Sequence, residues 1–319
     1  MKRILVTGAT GQIGSELVPV LRDKYGRDNV VAAGHRRKPE DAFVDSGPYE
    51  SIETTDAKSI SALVKKYRID TIYHLAALLS AKAEEDPQLA WNINMNGLQT
   101  VLEVARYHHC TLFFPSSIGV FGPSTPKDNT PQVTIQRPNT LYGITKLAGE
   151  LLCDYYVKKY DMDIRGVRFP GLISYKTLPG GGTTDYAVEI FYAAVKHEPY
   201  RCFLKEGTRL DMMYMPDAVR AVVELMEADA RSLRHRNAYN ITAMSFAPEQ
   251  LYASIKKELP HFSMTYEVDP IRQEIAESWP HKMDDSAARA EWGWQPEYTM
   301  ESMTKDMIEQ LRKEAPHVT

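Results

Sequence analysis

Cysteine is scarce: the 319 residues hold three, Cys110, Cys153 and Cys202. None belongs to a C-x-x-C pair or stands at zinc-finger spacing, which excludes a disulfide framework and a cysteine-built structural zinc site. Reduced, partly buried thiols are expected instead. His108, His109 and Cys110 are adjacent, and adjacent residues cannot easily converge on one ion without further partners, so no metal is expected. Long apolar runs are missing too: no stretch of about 20 apolar residues occurs, which removes a membrane-spanning helix. Met1-Lys2-Arg3 passes straight into Ile4-Leu5-Val6 with no small-residue cleavage site behind it. No secretory leader is expected, and the cytoplasm is the expected compartment. Positive charge is not in excess: a formal net charge of -4 and a pI near 6.2 give no overall pull toward nucleic acid or an anionic membrane. What the chain does have is a globular composition, 43% hydrophobic, 25% charged and 10% aromatic. Its length suits one large domain with a smaller one added.

Through the first half, short apolar runs alternate with amphipathic segments, the pattern of repeated βα units and a mostly parallel sheet covered by helices. The expected strands are 3–7, 30–33, 71–75, 111–115 and 164–169, and the expected helices 13–25, 59–67, 88–107 and 142–160. After Pro170 the texture changes. Pro179-Gly180-Gly181-Gly182-Thr183-Thr184 reads as a loop, followed by a helix over about 185–197. The segments 216–227 and 238–241 again read as helix then strand, as if the chain returned to the sheet. The expected division is therefore a domain over 1–170 with a return segment near 211–243, and a smaller domain built from 171–210 and 244–319.

Thr7-Gly8-Ala9-Thr10-Gly11-Gln12-Ile13-Gly14 follows the first strand and opens the first helix. Without side chains, Gly8, Gly11 and Gly14 let the backbone turn tightly and approach a pyrophosphate, whose charge meets the exposed N–H groups and positive end of the helix. The expectation is a dinucleotide site. Roughly 20 residues on, where NAD-binding proteins usually offer an acid to the ribose, the chain has Ala33-Gly34-His35-Arg36-Arg37. Arg36 there suits a 2′-phosphate, so local charge alone leaves NAD and NADP both open.

Tyr142-Gly143-Ile144-Thr145-Lys146 is a Y-x-x-x-K motif, whose ends share a helix face. An ammonium beside the phenol is expected to lower its pKa and make Tyr142 a general base near neutral pH. Phe114-Pro115-Ser116-Ser117-Ile118-Gly119-Val120-Phe121-Gly122 supplies a hydroxyl at the end of the preceding strand, with Ser117 preferred and Ser116 the alternative.

These motifs resemble the extended short-chain dehydrogenases, the epimerase-like branch, over nearly the whole chain. The glycine spacing G-x-x-G-x-x-G is of their type. So are Arg168-Phe169-Pro170-Gly171, Arg209 to Tyr214, and the closing Glu291-Trp292-Gly293-Trp294-Gln295-Pro296. The resemblance implies an α/β, Rossmann-like doubly wound parallel sheet with a smaller C-terminal substrate domain. It places Asp56 and Ala57 against the adenine, Leu75, Ala76 and Ala77 under the adenosine ribose, and Asn94 in support of the cofactor region. Gln12, Ile13, Tyr142 and Lys146 complete the implied cofactor set. Pro170 to Ala187 and Ser278-Trp279-Pro280 are similar to the short-chain-type L-threonine 3-dehydrogenases. That likeness implies NAD as cofactor and oxidation of the β-hydroxyl of L-threonine to 2-amino-3-oxobutyrate. Ser80, Ser117, Tyr142, Thr184, Asp185 and Trp279 would then face the substrate, and a homodimer would form through helices 88–107 and 142–160. Two alternatives stay open here: a nucleotide-sugar epimerase or dehydratase with tightly held NAD, and a dinucleotide-sensing protein without catalysis.

Overall fold

The computed structural model describes residues 1–35, 39 and 41–314, except the side chains of Ala81 and Glu314. Arg36 and Arg37, the residues expected to bear on the choice between NAD and NADP, lie outside the described residues. Among those described, a parallel six-stranded sheet forms from β1 (Ile4–Thr7), β2 (Val30–Gly34), β3 (Tyr49–Ser51), β4 (Thr71–His74), β5 (Thr111–Phe113) and, after a short strand β6 (Ser116–Ser117) that leaves it, β7 (Ile164–Arg165). The order is β3-β2-β1-β4-β5-β7. Because β1 has β2 on one side and β4 on the other, the connections run in opposite directions from it. The carboxyl ends of β1 and β4 therefore open a crevice at the point where doubly wound folds bind ligands.

Side-chain alternation sorts the strand residues onto the two faces. Ile4, Val6, Val30, Ala32, Tyr73 and Phe113 join one core with Leu17, Leu21, Val222 and Trp294. Leu5, Val31, Ala33, Ile72 and Leu112 join the opposite core with Ile60, Leu98, Leu102 and Ile164. Both faces are covered, which is why these strands read as unbroken apolar runs.

Three sequence expectations change. The single strand over 164–169 is two, β7 and β8 (Val167–Phe169), broken at Gly166, where a Cβ would stand 2.3 Å from the Phe114 carbonyl oxygen. β8 then pairs with β6 rather than with the main sheet. The helix over 88–107 is interrupted by a π-turn, Asn92–Asn96, that turns Asn94 inward. And β3, which has no apolar run to announce it, pairs as an edge strand with β2.

Beyond β9 (Gly171–Ile173), helix Tyr186–Val195 leads into β10 (Tyr200–Cys202) and β11 (Leu210–Tyr214); helix Met215–Glu227 leads into β12 (Tyr239–Asn240), followed by β13 (Met244–Phe246) and β14 (Met264–Tyr266). The expected return to the main sheet is not what forms: β12 pairs in parallel with β8, in a small sheet with β6 apart from the six-stranded one. β9, β11 and β13 form their own small sheet, and β10 pairs with β14. A third core gathers here around Tyr186, Phe191, Tyr214, Leu251, Met303 and Met307. No helix among the described residues is long and apolar enough to cross a membrane.

Candidate active site

The turn after β1 is built for close backbone approach. Gly8 has φ +69°, and a Cβ on it would lie 2.6 Å from Ala76 N; a Cβ on Gly14 would lie 2.5 Å from Gly8 O. Gly11 N donates to Gly8 O at 3.0 Å, and helix Gly14–Tyr25 starts at once. Gln12 and Ile13, just before its first residue, line the crevice, so its unpaired N–H groups and positive end lie beside it. Two clefts meet there, sharing Leu75 and Ala77. The first runs from Gly8, Thr10 and Gly11 past Gly34 and His35 to Glu53, Thr54 and Ala76. The second holds Gln12, Ile13, Ser80, Ser117, Tyr142, Lys146, Thr184, Asp185 and Trp279. A cradle that any Cβ would fill, continuing into two joined clefts, fits the two halves of a dinucleotide.

Asp56 and Ala57 are not part of that cradle. Asp56 caps helix Ala57–Tyr67, accepting from Lys58 N and Ser59 N, and these bonds hold its carboxyl below the usual range, the Ser59 hydroxyl most of all. Ala57 faces an outer groove beside Tyr107 and His108. The cleft is lined instead by Glu53 and Thr54, just past the end of β3. Glu53, which the sequence reading did not single out, lines the cleft edge and lies 3.3 Å from His35 Nδ1. The expected result is that Asp56→Ala lowers the melting temperature while leaving dinucleotide affinity unchanged in a calorimetric titration, whereas Glu53→Ala weakens it.

Asn94 is buried and works as a buckle. Its Oδ1 accepts from Leu78 N at 2.8 Å, and its Nδ2 donates to Leu78 O and Thr145 Oγ1, each at 3.1 Å. It ties the loop after β4 to helix Leu141–Tyr160, so its link to the cleft runs through backbone.

Tyr142 and Lys146 lie one turn apart near the start of that helix, whose N-cap Thr140 accepts from Gly143 N at 3.1 Å. Tyr142 and Ser117 line the same cleft, near enough for the Ser117 hydroxyl to favour the phenolate. Ser117 Oγ also accepts from Gly119 N at 3.1 Å. Lys146 Nζ donates to Pro115 O at 2.8 Å and lies 5.7 Å from the Tyr142 ring centroid. Burial pushes the phenol up to about 12, the Ser117 hydroxyl opposing it, and pushes the ammonium down to about 8. The expectation that Lys146 makes the phenol acidic is thus corrected, because in the protein's own surroundings desolvation is the larger effect. Ser116, the alternative hydroxyl, donates to the Glu150 carboxylate and is thereby engaged away from Tyr142.

On the facing wall, Ser80 is buried at the start of helix Ser80–Glu85, and Trp279 is buried at the end of helix Pro270–Ser278. Asp185 Oδ2 accepts from Gly181 N and Gly182 N at 2.8 and 2.6 Å, so the carboxylate organises the glycine loop as well as lining the cleft. Burial raises its pKa. Thr183, Phe169 and Leu172 line the same cleft. They were not singled out from the sequence, where nothing distinguishes them from loop and core residues.

The model of the NAD dependent epimerase/dehydratase family matches residues 4–242. An uncharacterized epimerase/dehydratase of Staphylococcus aureus (strain USA300) is 53% identical over 313 residues, 98% of each chain. The X-ray structure of an L-threonine dehydrogenase from Clostridium difficile is similar at 56% identity and a TM-score of 0.97, covering 98% of both chains. A structure described as a monomeric L-threonine 3-dehydrogenase from a metagenome is similar at 46% identity and a TM-score of 0.93, covering 98% of this chain and all of that one. By its glycine cradle, its strand order and these matches, the chain belongs to the NAD dependent epimerase/dehydratase family, the extended short-chain dehydrogenases.

Proposed function

We propose that this chain oxidises the β-hydroxyl of L-threonine, with NAD rather than NADP, to 2-amino-3-oxobutyrate. The observation that carries the reading is that Tyr142, Lys146 and Ser117 line one cleft together with Thr184, Asp185 and Trp279. Relatives described as L-threonine dehydrogenases support it over nearly the full length.

Gly8, Gly11 and Gly14 would hold the pyrophosphate, Glu53, Leu75, Ala76 and Ala77 the adenosine end, and Lys146 the nicotinamide ribose. NAD bound there supplies the acceptor for the hydride leaving the β-carbon. Tyr142 takes the hydroxyl proton, and Ser117 donates to the same oxygen as its charge changes. Asp185 offers its charge to the substrate ammonium, while Ser80 and Thr184 offer hydrogen bonds to its polar groups. Trp279 closes the cleft over the methyl end and keeps water from it. The division into a dinucleotide domain over 1–170 with its return segment near 211–243, and a substrate domain over 171–210 and 244–319, belongs to this proposal. So does a homodimer, for which Tyr107, Leu151 and Tyr155 stand exposed on the two helices concerned.

The test is a panel of β-hydroxy amino acids and nucleotide sugars with NAD and NADP, read by reduced-cofactor absorbance. Net NADH formation with L-threonine, slower with NADP at equal concentration, is the expected result, from a sample that sediments as a dimer. Inertness to every amino acid combined with tightly retained NAD would replace this reading by epimerisation.

A further inference from the structure

Helix Leu141–Tyr160 presents Tyr142, Lys146 and Glu150 at intervals of four residues, hence along one face. All three meet one short stretch of chain. Tyr142 lies beside Ser117 in the cleft, Lys146 Nζ donates to Pro115 O at 2.8 Å, and Glu150 accepts from Ser116 Oγ. Glu150 is buried, and its carboxylate is forked by Arg168, Nε to Oε1 at 2.9 Å and Nη2 to Oε2 at 2.8 Å. Arg168 Nη1 reaches on to Gln132 O at 2.9 Å and Asn240 Oδ1 at 3.0 Å. Arg168 is also the register partner of Ser116 between β8 and β6, as Phe169 is of Ser117.

A buried ion pair contributes little net stability compared with apolar side chains of the same volume, because both charges are desolvated. Its two-bond fork does impose a geometry. β6 is two residues long and has β8 as its paired strand, so its backbone ladder alone constrains it weakly. We propose that Glu150 and Arg168 are positioning residues, a buried clamp that sets Ser117 against Tyr142 by holding Ser116 to the helix and to β8.

The inference rests on the assignment of Tyr142, Lys146 and Ser117 as the reacting group. Ser116 Oγ is turned to Glu150 and strand alternation sends the Ser117 side chain the other way, while both residues line the cleft. The clamp also adds a balanced pair of charges near Lys146. The titratable groups facing that ammonium are Tyr142, Glu150 and Cys153 on its own helix and His74 on β4, with Asp154 and Arg168 interacting with Glu150 around them. His74 is pushed down to about 3 by burial and carries no charge at neutral pH. Removing one member of the pair unbalances this set, and removing both restores it.

The experiment uses full-length Glu150→Gln, Arg168→Gln and the double variant, with Tyr142→Phe in parallel. Each single variant is expected to lose at least about tenfold in kcat with KM for the dinucleotide changed less than about twofold, the pattern of a misplaced reacting group. The alkaline limb of the kcat profile should move to lower pH in Glu150→Gln, where the Arg168 charge is left unopposed, and to higher pH in Arg168→Gln. The double variant should return the limb toward the parent while kcat stays low, and its crystal structure should show Ser117 Oγ displaced from Tyr142 Oη. If a single variant does not fold, the uncharged double variant carries the test alone: parental kcat with Ser117 in place overturns the clamp. Limbs moving the same way in both folded single variants overturn it too. Normal rates in Tyr142→Phe would instead sink the catalytic assignment, and normal rates in the clamp variants beside an inactive Tyr142→Phe would sink only the clamp.

Discussion

Tyr142→Phe is expected to lower kcat by at least about 10²-fold, the usual scale for loss of a general base, while dinucleotide affinity stays within about threefold. The substitution keeps the ring, whose Cδ1 and Cε1 pack 3.4 Å from where a Cβ on Gly119 would sit. It removes the hydroxyl that stands near Ser117 in the cleft. Since the phenol is buried, losing its hydroxyl exposes nothing new to water, and a fall in rate would report chemistry rather than unfolding. The pH dependence follows from the two perturbed groups. A base works when deprotonated, so rate rises with pH on the phenol; an ammonium works when charged, so rate falls as pH passes the Lys146 value of about 8. With the phenol raised and the ammonium lowered by burial, little of the protein carries both competent forms at once. Positive charge arriving at the phenol with the reactants must therefore bring the ascending limb well below 12. An ascending limb still near 12, or near-parental turnover in the phenylalanine variant, would place the base on another group. Steady-state kinetics across pH, beside a calorimetric dinucleotide titration, make the comparison.

The parts of this site that were legible in the sequence are those whose geometry is local. Gly8, Gly11 and Gly14 make one turn between a strand and a helix, and Tyr142 and Lys146 are one helical turn apart, so spacing alone specifies them. The alternating cores of β1, β2, β4 and β5 were legible for the same reason, since pleat and burial act residue by residue. What escaped depends on contacts distant along the chain. Glu53 stands just past β3, and β3 is an edge strand with half-buried or exposed side chains. The break at Gly166 is imposed by Phe114 and Asn237, neither of which is near it in sequence. Asn94 was legible as a member of a motif, but its bonds to Leu78 belong to the folded loop. The acidity of Tyr142 was misjudged because its lysine is visible in the motif, whereas its burial is a property of the assembled cleft.

Gly8→Ala should be the most damaging small substitution in the glycine turn, because two independent penalties coincide there. At φ +69° an L side chain costs roughly 1–2 kcal/mol over glycine. The added Cβ would also stand 2.6 Å from Ala76 N and 2.8 Å from the Leu75 carbonyl carbon, which are backbone atoms unable to swing aside. Relief requires the chain after β4 to move, and Leu75 is shared by both clefts. The expected outcome is a dinucleotide affinity weakened by at least about 100-fold, or about 3 kcal/mol, with a melting temperature lowered by several degrees. Gly11→Ala should be milder, since its Cβ would meet Gly8 O at 3.2 Å without a positive φ. Gly180→Ala, with nothing within 4 Å of the new Cβ, is the control and should bind as the parent does. Calorimetric titration of the three variants ranks them, and a Gly8→Ala protein that binds dinucleotide as tightly as Gly180→Ala would mean that the pyrophosphate is not held at this turn.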